Sequence, residues 1–203
     1  MKNILIANSK GGSGKTTIAT NLAGYFASLG KHVMLSDLDR QQSSAQWLKR
    51  RPVELPEIHA YIADPEWIIT DSPAGIRSNK LSDAVKRADC IIVPVQPSAF
   101  DIGATSDFLD LLISEKSVSK HKTFVGLVGM RVNPRTHAAT RLTDFLEYTG
   151  FQILTNLRNA QVYANVAEHG LSLFDVRPSL VAQDIEQWTP ILDWVNEVSD
   201  SET

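Results

Sequence analysis

The chain has 203 residues, a formal net charge of −3 and one cysteine, Cys90. That length suits one domain, residues 1–203, with a sizeable core, and a lone thiol excludes an internal disulfide and any zinc or iron–sulfur centre built from this chain's thiols alone. No apolar run is long enough to span a bilayer, and the N-terminus opens directly into a strand and a loop with no room for a signal peptide, so a cytosolic protein is expected.

The first predicted strand, Lys2 to Ala7, is a short apolar run suited to a buried parallel sheet. Asn8-Ser9-Lys10-Gly11-Gly12-Ser13-Gly14-Lys15-Thr16-Thr17 follows, after which Ile18, Leu22, Tyr25, Phe26 and Leu29 recur at helical spacing until Gly30. Strand, glycine-rich loop and helix in that order make a phosphate cradle. Ser13, Gly14 and their neighbours turn backbone N–H groups towards an anion, while Lys15 reaches the β- and γ-phosphates of a nucleotide. Ser9 stands where the strict pattern has its first glycine. Lys10 is a second cation on a loop that needs only one against its own phosphates.

A second strand, Lys31 to Ser36, runs into Asp37-Leu38-Asp39-Arg40-Gln41-Gln42. Ligands of open α/β sheets bind at the carboxyl ends of the strands, which turns Asp37 and Asp39 towards the loop. Asp37 can equally cap the helix that begins near Ser43. Lys49 to Trp67, with Pro52, Pro56 and Pro65, reads as a connection. Trp67 to Thr70 is the third strand, ending at Asp71 and the turn Ser72-Pro73-Ala74-Gly75. A carboxylate at that tip, opposite the Thr16 hydroxyl, suits a magnesium ion.

Helices are predicted over Asn79–Ala88, Ala99–Ser114 and Thr136–Tyr148, and strands over Cys90–Val95, Phe124–Met130 and Phe151–Leu157. The alternation predicts an α/β fold, a mostly parallel twisted sheet with helices on both faces. Gly129 to Thr136 leaves its strand at the ligand rim, although Asn133-Pro134 reads as readily as a turn and helix cap. Trp188 to Val198 carries an apolar stripe beside Asp193, Glu197, Asp200 and Glu202 and has no basic residue, so it is expected to pack in the core and not on anionic lipid. Basic clusters at Lys49-Arg50-Arg51, at Lys116, Lys120 and Lys122, at Arg131, Arg135 and Arg141, and at Arg158 and Arg177 read first as solvated faces.

Three signatures taken together, K-G-G-x-G-K-[ST] at residues 10–16, D-x-D-x-Q at 37–41 and D-x-P-x-G at 71–75, resemble those of the ParA/MinD family of deviant Walker ATPases. The resemblance implies a P-loop NTPase fold that uses ATP and Mg2+. It assigns Lys10, Gly11, Gly12, Ser13, Gly14, Lys15, Thr16, Thr17, Asp37 and Gly75 to the nucleotide and Thr16, Asp39 and Asp71 to the metal. Asp39 would orient the attacking water, and Lys10, Lys15 and Asp39 would form the catalytic set. Arg131 or Asn133 would read the adenine, and Arg158 the base or DNA. Arg40 departs from the family, which often has proline there.

In that family the signature lysine, here Lys10, crosses a dimer interface to the partner's nucleotide, with Gly11 and Gly12 at the contact. The resemblance is to short ParA-type positioning ATPases. It implies an ATP-bound homodimer on nonspecific nucleoid DNA, released when a ParB-like or other cargo adaptor stimulates slow hydrolysis, to move plasmid, chromosome or a large protein cargo. Arg158 and Arg177 are candidate DNA contacts, and no membrane partner is expected. The alternatives are a metabolic P-loop enzyme, such as a small-molecule kinase or synthetase, and a MinD-like membrane-associated ATPase.

Overall fold

The computed structural model describes residues 1–76 and 78–200, so Glu202 of the acidic tail lies outside the described residues. Six strands, β1 (Lys2–Ile6), β2 (Val33–Asp37), β3 (Trp67–Asp71), β4 (Cys90–Val95), β5 (Phe124–Val132) and β6 (Gln152–Arg158), form one sheet in the order β2-β3-β1-β4-β5-β6. Every pairing is parallel. The helices are α1 (Lys15–Ser28), α2 (Ser43–Arg50), α3 (Ser78–Arg87), α4 (Ala99–Ser114), α5 (Lys116–Ser119), α6 (His137–Tyr148), α7 (Val162–Glu168) and α8 (Pro178–Asp200), with a 3-10 turn at Leu173–Asp175.

A parallel sheet needs cover on both faces, and the alternation of strand side chains supplies two cores. Ile4, Ile6, Trp67, Ile69, Cys90 and Ile92 point to one face, where α1, α2, α7 and α8 contribute Leu22, Phe26, Trp47, Val166 and Trp188. Leu5, Ile91, Val93 and Val95 point to the other, under Val85 of α3, Phe108 and Leu112 of α4 and Leu142 of α6. The expected fold is therefore the observed one. Cys90 is fully buried, which pushes its thiol far above the ordinary range and leaves it inert.

The tail helix packs as its acidic face suggested. Trp188, Ile191, Trp194 and Val195 of α8 are buried, and the indole N–H groups of Trp188 and Trp194 donate to Tyr163 Oη (3.1 Å) and Gln152 Oε1 (3.0 Å). Its apolar stripe is consumed by the protein's own core. Among the described residues no helix is long and apolar enough to cross a membrane.

Two departures from the sequence reading matter for the site. Strand β5 runs two residues past the expected end at Met130, through an irregular register between Gly129 and Val132 where Arg131 takes a left-handed φ of 52°. The connection before β3 is also not free: His59 N–H donates to Val33 O (3.0 Å) and Leu35 N–H to His59 O (2.9 Å), covering the outer edge of β2.

Candidate nucleotide site

The carboxyl ends of β1, β2 and β3 finish level, with Ile6 opposite Asp71 and Asp71 opposite Asp37. The loop that leaves β1 therefore has Asp71 at the tip of the neighbouring β3 beside it, and Asp37 one strand further out on the same side. It is braced from below by Asn8, fully buried, whose Nδ2 donates to Pro94 O (2.8 Å) and Thr105 Oγ1 (2.9 Å) while its Oδ1 accepts from Lys10 N–H (3.1 Å). Ser9 Oγ donates to Ala104 O (3.1 Å), and the Gln96 amide donates to Gly12 O. Gly12 and Gly14 hold φ of 75° and 108°, which lets the chain curl before Lys15 starts α1. A Cβ on Gly14 would also meet Met130 Cε at 2.6 Å.

The two lysines behave differently. Lys15 is buried, and its Nζ turns inward to Lys10 O (3.0 Å) and Ser13 Oγ (3.5 Å). Burial lowers its pKa, with Asp71 and Asp39 pulling the other way. Lys10 is only half-buried, and among the described residues its ammonium has neither a hydrogen bond nor an ion pair.

Asp71 is 2% exposed, and burial raises its carboxyl to about 6; Asp37 adds to the rise, against the bond that Thr16 Oγ1 donates to Asp71 Oδ2 (2.8 Å) and the charge of Lys15. Ser44, buried in the first turn of α2, faces the same carboxylate, yet its Oγ makes no bond at hydrogen-bonding distance; Ser72 Oγ next door is also buried and unpartnered. A desolvated carboxylate, one hydroxyl already on it and orphaned hydroxyls around it fit a hard divalent cation that keeps several of its ligands from waters and phosphate. Thr16 and Asp71 would hold such an ion.

Asp37 caps a helix. Its Oδ1 accepts from Asp39 N–H and its Oδ2 from Ala45 N–H, both at 2.9 Å, so it ties the acidic turn to α2 and does not face the loop as a free carboxylate. Asp39 Oδ1 accepts from Gln41 N–H (3.0 Å), and its charge is felt by Lys15. Gly75 does not present its N–H to a phosphate either: with φ of 70°, it donates to Ser9 O (2.9 Å) and so braces the loop.

Beside the loop lies a cavity of about 300 Å³ lined by Thr17, Met130, Arg131, Arg158, Gln161 and Tyr163, among others. Its size and place suit a purine. Arg131 lies on it, but Asn133 does not: the longer β5 carries the chain past the cavity, and Asn133 serves the turn, its carbonyl accepting from Thr136 Oγ1 (2.9 Å). Arg158 lines the wall but is committed to a bidentate pair with Asp184, 2.8 Å to each oxygen, the carboxylate being fully buried. It is neither a lone surface arginine nor a free DNA contact. Arg177 stands exposed before α8.

Residues 4–173 match the CobQ/CobB/MinD/ParA nucleotide binding domain family. The chain belongs to this family. Within it, the chain is 27% identical over 202 residues to maintenance of carboxysome distribution protein A of Halothiobacillus neapolitanus, covering 91% of this chain and 93% of that protein. It is 28% identical over 169 residues to protein ParA of Rhizobium radiobacter, with 74% of this chain and 75% of that one covered. Among solved structures, the ATP complex of a Cyanothece McdA variant superposes with a TM-score of 0.72 at 18% identity over 98% of this chain and 96% of that one, a likeness of fold.

Three residues that shape this site were given no role of their own in the sequence reading. Asn8 gave no motif signal beyond its place next to Ser9, and its partners lie 86 and 97 residues away. Ser44 read only as a helix start. Met130, under Gly14, read as strand core.

Proposed function

We propose that this chain is an ATP-driven positioning switch of the ParA type, with Lys10 serving the nucleotide of a second copy. The observation that carries the reading is the contrast between the loop's two lysines: Lys15 is folded into its own loop, whereas the Lys10 ammonium is left without a partner among the described residues. A cation without a partner, on the rim where phosphate would sit, has a use once another subunit faces it. Gly12 agrees, since a Cβ there would meet nothing of its own chain within 4 Å. That leaves the space free for a facing loop.

In this reading the loop N–H groups and Lys15 hold the phosphates of ATP, and Thr17 and Arg131 border the base. Mg2+ bound by Thr16 and Asp71 would offset charge on the phosphates. Asp39 orients the attacking water, and Lys10 stabilises charge developing on the partner's phosphoryl group as a finger residue does. Asp37 couples that turn to α2. The ATP dimer would ride on nonspecific DNA until an adaptor speeds hydrolysis. The relatives' names refer to carboxysome distribution and to ParA, which favours a large assembly or replicon as cargo.

A small-molecule kinase would need a dedicated acceptor pocket beside the phosphates, and the sequence offers no surplus catalytic residue to build one. A MinD-like membrane anchor would need an apolar helix face to spare, and that of α8 is buried. The test is light scattering with ATP on wild type and Gly12→Val, beside ATPase assays with and without DNA. Wild type should dimerise with ATP, and Gly12→Val should bind nucleotide and stay monomeric. ATP-dependent dimers of Gly12→Val, or brisk turnover indifferent to DNA with no ATP-dependent DNA binding, would overturn the reading.

A further inference from the structure

At the opposite end of the sheet from the phosphate loop lies a cavity of about 450 Å³ whose lining includes five cations, Lys86, Arg87, Lys116, Lys120 and Lys122. All five side chains are exposed, and among the described residues none forms an ion pair. Among the described residues the single acid in the lining, Asp89, is occupied: its Oδ2 accepts from Asn3 N–H (2.6 Å). Glu115 nearby accepts from Ser82 Oγ. A chain of net charge −3 has thus gathered a quarter of its 20 basic residues around one concave surface.

The folding of this corner does not need that charge. Lys86 and Arg87 end α3, where cations offset the helix dipole, but Lys116 lies in the single turn of α5, which has no dipole to offset. Lys120 and Lys122 are brought to the rim by a closed turn in which His121 takes φ of 53°, with His121 N–H on Val118 O (2.9 Å) and Lys122 N–H on Ser117 O (2.8 Å). Mutual repulsion of five like charges costs stability unless an anion answers them.

We propose that this basic pole is a binding site for the phosphodiester backbone of duplex DNA, one on each subunit. Four of the five cations are lysines, which grip phosphates as point charges without reading bases. No aromatic residue lines the cavity, so it offers no platform for the unstacked bases of a single strand.

The placement fixes how two such sites are arranged. Residues 86–89 lead into β4 and 122–123 into β5, whereas the phosphate loop leaves a carboxyl end, about 20 Å away along a strand the length of β4. The inference rests on the proposed ATP dimer. When the phosphate-loop faces meet, the two basic poles point away from each other, giving two outward sites and not one continuous track. Each is weak alone. Joined by ATP they bind dense DNA by avidity, and hydrolysis halves the valency and releases it.

The experiment titrates the full chain with ATP against a fluorescent random-sequence duplex at several salt concentrations. It compares wild type, the triple variant Lys116→Glu/Lys120→Glu/Lys122→Glu, its Lys→Gln counterpart, and Arg135→Glu/Arg141→Glu as control, with light scattering for dimerisation. The Glu triple should lose about tenfold or more in affinity, and its salt slope should fall by about 0.9 for each phosphate that it no longer neutralises. The Gln triple should shift the same way by less, and the control should match wild type. Wild type with ATP, but neither triple, should also capture a second labelled duplex onto bead-tethered DNA.

Equal affinity and slope in wild type and both triples would overturn the site and leave the switch reading standing. ATP dimers of wild type that bind no DNA would overturn the DNA reading itself. Binding to phosphatidylglycerol vesicles that the triples lose, with DNA binding unchanged, would overturn the assigned ligand.

Discussion

Replacing Asp71 with Asn separates what the site costs the fold from what it gives the nucleotide. Burial raises the Asp71 carboxyl to about 6, from an ordinary value of 3.8. A folded pKa above the unfolded one means that the native state holds the extra proton, so stability falls as pH rises through the interval from 3.8 to about 6 and stays low above it. Two units correspond to about 3 kcal/mol at neutral pH, or about 6–12 °C in Tm for a chain of this size. Asp71→Asn keeps the acceptor for Thr16 Oγ1 and removes the buried charge. Without nucleotide, it should melt above wild type at pH 7.5, with the gap closing as pH drops towards 4. Calorimetry across that range measures it. With ATP and magnesium the order should reverse, because only wild type gains stability from the bound ion. A variant that melts at or below wild type at pH 7.5 without ligand would refute the claim that this carboxylate is held at the strand tip against its own desolvation.

Gly14→Ala places a Cβ against Met130 at a left-handed φ of 108°; it should destabilise the chain by about 1–2 kcal/mol and abolish nucleotide binding by calorimetric titration. Arg51→Met leaves the Asp175 side chain, 2% exposed, without the guanidinium bonded at 2.9 Å to both its oxygens, and denaturant melts should show a loss of about 3–5 kcal/mol. Although burial pushes the other way, the bonds from Arg51 and Ser172 hold the Asp175 carboxyl below its usual range. Wild type should therefore lose this stabilisation as pH falls below the ordinary carboxylate range, and Arg51→Met should lack that decline. Asn8→Ala removes the brace between β4, α4 and the loop, and should raise the Kd for ATP with little change in the secondary structure seen by circular dichroism.

What was legible in the sequence was local. The phosphate loop, the carboxylates at two strand tips and the apolar runs between them each lie within a dozen residues, and periodicity placed them on one rim. What escaped depended on distant partners or a backbone irregularity. Arg51 belonged to a basic cluster until the fold set it against Asp175, 124 residues away. Arg158, at the end of β6, looked free because Asp184 sits 26 residues on, in α8. That Arg131 lines the cavity beside the loop and Asn133 does not turned on the irregular end of β5 and its left-handed residue, which no propensity announces. Asp37 was open between ligand and cap, and the structure shows the cap through the bond from Ala45 N–H.

The central claim is that Lys10 acts on the other subunit's nucleotide, and a mixing assay tests it directly. Lys10→Ala and Asp39→Asn should each be close to inactive as ATPases. In a mixed dimer the Asp39→Asn subunit lends its Lys10 to the intact Asp39 of the other, so an equimolar mixture should recover about a quarter of wild-type turnover, from one complete site in half of the dimers. Turnover in the mixture no higher than the mean of the two variants would show that Lys10 serves its own subunit.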